Sequence, residues 1–85
     1  MLVEIAMPTI KEIKGWNTEE LITYLRGQDL KLDEKYFEVF RAQEITGLSF
    51  LGLTKNELEE IGLKIGPTIV ITGLIKKLKD EEHGN

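Results

Sequence analysis

The chain has 85 residues, 41% of them hydrophobic and 31% charged, with 11 basic against 15 acidic side chains and no cysteine. This describes one small soluble globular domain in which disulfides are excluded, which fits a reducing, cytoplasmic or nuclear compartment. No run approaches the ~18 apolar residues of a membrane span, and a net charge of −4 argues against nucleic acid, whose phosphates require clustered positive charge.

Residues 1–12 read as a flexible N-terminal arm. Met1 to Met7 has no basic region, so no secretory leader is expected. Pro8 interrupts the arm, Met1 to Met7 should fray, and Ile10 and Ile13 are placed to pack near Trp16. Asn17 then announces a helix over 18–26, because its side chain can accept a bond from an orphan backbone N–H and Glu20 can complete a capping box. Leu21, Ile22 and Leu25 face inward, and Gly27 is expected to take the left-handed terminal position. Leu30 and Leu32 should be buried in the connection. Asp33 caps a second helix over 34–43, with Tyr36, Phe37 and Phe40 at helical spacing.

A short helix at 48–51 follows Gly47. Thr54 with Glu57 repeats the capping box for a helix over 55–61, with Leu58 and Ile61 inward and Gly62 as its stop. Trp16 with Leu21, Leu32 with Phe37, and Leu53 with Leu58 can each form a hydrophobic staple. The last helix is expected over 67–79, opening on Pro67 and carrying the stripe Ile71, Leu74, Ile75 and Leu78. Gly73 inside it costs up to ~1 kcal/mol relative to Ala. Residues 81–85 read as a disordered tail. No pattern of strand, repeat or low complexity is present.

Residue types that support chemistry are scarce. His83 is the single histidine, in a charged tail, and Ser49 is the single serine. Without cysteine, no zinc set of the usual N/S ligands can be assembled. Glu57, Glu59 and Glu60 lack the loop of alternating oxygen ligands that calcium requires. The glycines fit neither the dinucleotide fingerprint nor the phosphate loop. Trp16 reads as a core anchor at the entry to the first helix. Tyr24 and Tyr36 carry no signal for or against modification. The reading is a non-enzyme without cofactor or metal.

Charge is unevenly placed. Residues 17–62 hold ten acids and five bases, whereas residues 63–80 hold Lys64, Lys76, Lys77 and Lys79 against Asp80. An acidic middle and a basic end can attract each other between molecules, or they can be ordinary solvated helix faces.

The ordered series Trp16, Leu21, Leu25, Leu30, Tyr36, Phe40, Ile45-Thr-Gly47, Leu51, Leu53-Thr54, Leu58, Ile61-Gly62, Leu63-Lys-Ile-Gly66-Pro67 and Ile71 through Leu78 resembles a SAM (sterile alpha motif) domain over residues 13–80. The resemblance implies an all-α, five-helix bundle with a long C-terminal helix. It also implies a protein-interaction module that associates head to tail with itself or another SAM domain, as a signalling or scaffolding adaptor. One copy would offer a mid-loop surface, here Gln43, Glu44, Thr46, Ser49, Asn56, Glu57 and Glu60. The other would offer an end-helix surface, here Lys64, Ile65, Gly66, Pro67, Thr68 and Val70.

The chain departs from the family in having Thr68 and Val70 where self-associating members place basic residues after Gly-Pro. Val70 lies off the apolar stripe and reads either as an exposed contact beside Ile65 or, with Ile65, as peripheral core. Some SAM domains bind RNA hairpins through a basic patch near this helix start. Thr68, Val70 and Asp29 argue against that alternative here. The apolar arm and Trp16 offer only a weak case for lipid.

Overall fold

Side-chain caps set the frame of this fold. The computed structural model describes residues 7–83, which form α1 (Ile10–Lys14), α2 (Thr18–Gly27), α3 (Glu34–Ala42), α4 (Gly47–Leu51), α5 (Lys55–Glu60) and α6 (Ile65–His83), with no strand among them. Asn17 Oδ1 accepts from Glu20 N at 2.8 Å while Asn17 N donates to Glu20 Oε1 at 2.9 Å, so two orphan donors are satisfied reciprocally. Thr54 and Glu57 form the same box on α5, at 3.3 and 3.1 Å. Asp33 accepts from Lys35 N on α3, and Thr46 from Ser49 N on α4.

Helices α2 to α6 are the five that the resemblance implies. The additional α1 begins inside the stretch read as an arm. Thr9 and Glu12 form a third capping box, at 3.1 and 2.9 Å, and α1 places Ile13 in the core with no exposed surface. The Thr-x-x-Glu signature was present at residues 9–12, immediately after the proline that reads as an interruption. Met7, expected to fray, packs half-buried against the core. Residues 1–6 and 84–85 and the His83 side chain, on which other expectations fell, lie outside what is described. At the far end, α6 continues through residues 81–83, where a disordered tail was expected.

Each helix contributes to one core. Ile13, Leu21, Ile22, Leu25, Phe40, Phe50, Leu58, Ile71 and Leu78 are almost completely buried. Phe40 on α3 and Phe50 on α4 meet edge to face at 6.5 Å, and burying each ring is worth roughly 1.5–3 kcal/mol relative to leaving it exposed. Leu30, Leu32 and Ile61, all expected inside, are half-buried at its margin.

One helix end differs from expectation. Gly27 does not take the left-handed position; the backbone stays helical through it, and the positive φ values fall at Asp29 (54°) and Lys31 (61°). Gly62, with φ 110°, does stop α5, and Leu63 N closes back onto Leu58 O at 3.0 Å, the six-to-one bond of a Schellman end. Helix α3 ends the same way without a glycine: Glu44 carries φ 55° and Ile45 N bonds Phe40 O at 2.9 Å.

Candidate functional site

The expected mid-loop residues run from the end of α3 through α5. Gln43 closes α3, and Glu44 stands exposed in the left-handed turn after it. Thr46 and Ser49 meet at the start of α4, with their hydroxyls 3.1 Å apart. Asn56, Glu57 and Glu60 are exposed on α5, but one oxygen of Glu57 is held by Thr54 N. Between Thr46 and Ser49 lies a residue that the sequence reading passed over: Leu48 is 59% exposed.

The expected end-helix residues divide. Lys64, Ile65 and Gly66 are exposed and Pro67 is half-buried. Thr68, expected at the surface, is 1% exposed and cannot contribute a contact. The reason is helical phase: stepping back three residues from Ile71 along the Ile71, Ile75, Leu78 face reaches Thr68. Its hydroxyl oxygen is buried and has no hydrogen-bond partner among the described residues. Val70 is half-buried, and the exposed neighbour of Ile65 is instead Ile69, one turn on.

Helix α6 also starts two residues earlier than expected. The Lys64 carbonyl accepts its first bond, from Thr68 N at 3.0 Å. Pro67 is thus the third helical residue, where a missing N–H is equally harmless because the first four have no intrahelical partner.

Leu48, Ile65 and Ile69 are the large hydrophobic side chains exposed among the described residues. They form two separate patches. Leu48 lies over an open groove of about 650 Å³ built from α1, α4 and the distal part of α6. Ile65 lines a second depression of about 590 Å³ with Glu59, Leu63, Lys64 and Gly66.

A third groove, about 680 Å³ between α1 and α2, has Trp16 and Tyr24 in its wall. Trp16 is half-buried, not a fully enclosed anchor, and its ring tilts against Tyr24 at 5.1 Å. Burial pushes the Tyr24 hydroxyl above the usual tyrosine range. Among the described residues no group of three or more His, Cys, Asp or Glu could hold a metal ion. No helix there is long and apolar enough to cross a membrane.

A helical bundle closed by a long terminal helix, with two separate exposed apolar patches among the described residues, is a small all-α module. The family profile described as SAM-like domain matches residues 2–77, and the chain belongs to that family, whose domains are generally non-catalytic protein-interaction modules.

Relatives include the human sterile alpha motif domain-containing protein 9-like, 32% identical over 95% of this chain and 5% of its own length. The zebrafish deoxynucleoside triphosphate triphosphohydrolase SAMHD1 is 32% identical over 79% of this chain and 10% of that protein. The Polycomb protein Sfmbt of Drosophila pseudoobscura pseudoobscura is 34% identical over 76% and 5% respectively. The chain therefore spans a tenth or less of each. No solved structure matches.

Proposed function

We propose that this domain is a non-catalytic adaptor module that associates head to tail with itself or another SAM domain, the start of α6 on one copy meeting the α3–α5 surface on the next. The observation that supports this is the placement of the exposed aliphatic side chains. Leu48 falls on the mid-loop side, and Ile65 and Ile69 on the end-helix side. A monomer that leaves such side chains uncovered on two patches has two contact anchors. Because the patches differ, the contact is heterologous and propagates instead of closing.

Light scattering after size exclusion, over a range of concentrations, tests this. The mass should rise above 9.7 kDa with concentration. Leu48→Glu and Ile69→Glu should each abolish the rise while circular dichroism stays helical. Mixed one to one, the two variants should form a dimer and no larger species, since each retains the patch that the other has lost. A flat wild-type mass at all concentrations overturns self-association, and loss of helicity in both variants assigns these side chains to folding.

A further inference from the structure

We infer that the head-to-tail contact of this chain runs with a specific charge polarity: the lysine-rimmed groove around Leu48 receives the Glu59, Ile65 and Ile69 face of a second copy. The inference rests on the self-association proposed above, but moves the receiving surface from α3–α5 to the groove around Leu48 and places α5 on the visiting side.

The groove has an aliphatic floor of Ile10, Leu48 and Leu51, and Lys11, Lys14 and Lys79 line it. All three lysines are exposed, and none has a carboxylate within ion-pair distance among the described residues, where the lysine pairs are Lys31–Asp29 and Lys76–Asp80. Three ammonium groups without an ion pair among the described residues, set around an apolar floor, repel one another and favour an anionic visitor with an aliphatic anchor.

The same molecule carries such a visitor at the other end of α6. Ile65 and Ile69 stand one turn apart, and Glu59 lines the depression that Ile65 enters. Across α5 and the start of α6, Glu57, Glu59 and Glu60 outnumber Lys55 and Lys64. From Ile65 to Lys79 the helix rises about 21 Å at 1.5 Å per residue, so one copy cannot bring its own two patches together. A second copy can, and each added copy leaves one groove and one acidic end free.

This polarity differs from the simple pairing of an acidic middle with a basic helix start. The basic element is the α1–α4–α6 groove, and the acidic element is the exposed face of α5, with Glu57, Glu59 and Glu60, beside the helix start. Lysines distant in sequence, Lys11 and Lys79, are brought to one rim only by the fold.

Charge reversal distinguishes the alternatives. Association constants from concentration-dependent light scattering at low salt should fall about tenfold or more for Lys79→Glu and for Glu59→Lys, because each places like charges across the contact. Lys11→Glu, on a different helix, guards against a folding effect of the Lys79 change and should behave alike. The double variant Lys79→Glu/Glu59→Lys should lose less than the two single losses combined, because the reversed pair attracts again, which two independent surface effects would not produce. If wild type associates but neither reversal weakens it, or the double variant shows only the sum of two losses, the polarity is wrong while self-association stands. If wild type stays monomeric, both ideas fail together.

Discussion

A Cβ added at Gly47 would lie 1.8 Å from the Ile13 carbonyl oxygen and 3.2 Å from Trp16 Cβ. The neighbour at 1.8 Å is backbone, and Gly47 N also donates to Trp16 O at 3.0 Å, so the clash cannot be relieved by a side-chain rotation. The glycine is there because α4 starts in contact with the end of α1. Gly47→Ala must push the two apart, and overpacking of this kind costs about 1–3 kcal/mol. Urea denaturation should show that loss as a lower midpoint at unchanged slope; an unchanged midpoint would mean that α1 is not held against α4. At this scale the sequence was partly legible. Asn17, Asp33 and Thr54 announced their caps because cap chemistry is local. The reason for Gly47 was not legible, because Ile13 reaches it only through the tertiary fold, and Glu44 gave no sign that a non-glycine residue would take the left-handed turn. Thr68 misled because a polar residue occupies a core-facing phase, as counting back from Ile71 would have revealed.

Helix α6 shows what one element gains and loses in its own sequence. Its buried face, Thr68, Ile71, Ile75 and Leu78, is continuous, yet Gly73 sits mid-helix on an exposed position where an added Cβ meets nothing within 4 Å. Gly→Ala at such a site removes unfolded-state freedom and adds no clash, so Gly73→Ala should stabilise the domain by about 0.5–1 kcal/mol. For a domain of this size that is a melting temperature higher by about 2–8 °C. Calorimetry would detect the shift, and a lower melting temperature would show that the backbone there is not ordinary helix. The periodicity of residues 71–78 made this helix the easiest to read. Its true ends were harder, because the start at Ile65 is set by the Schellman turn at Gly62 just before it. Leu48 and Ile69 escaped notice as site residues for a related reason: in sequence, an exposed aliphatic residue on a helix looks the same as a buried one. Only the packing of α1 and α2 against α4, and of α5 against α6, shows which side is left uncovered.

The molecule as a whole holds α2 against α3 with charge as well as core. Arg41 on α3 reaches Glu19 on α2 with two bonds, at 2.7 and 2.9 Å, and also meets Glu38. Arg26 on α2 reaches Glu34 on α3 at 2.6 and 3.1 Å, with its guanidinium 5.1 Å from the Phe37 ring centre. The hydrogen bonds from Arg41 hold the Glu19 carboxyl below its ordinary range, and those from Arg26 do the same for Glu34. Both groups thus bind protons more weakly folded than unfolded. Their contribution is therefore present above the ordinary carboxylate range and is lost as pH falls through it toward the lowered folded values. These pairs are exposed, so salt should weaken them. Denaturation midpoints measured from pH 7 to pH 3 at low salt should decline for the wild type. They should decline less steeply for Arg41→Gln, which removes the largest cause of the Glu19 shift, and high salt should bring the two profiles together. Parallel profiles at low salt would show that the Arg41–Glu19 clamp seen across α2 and α3 does not operate in solution.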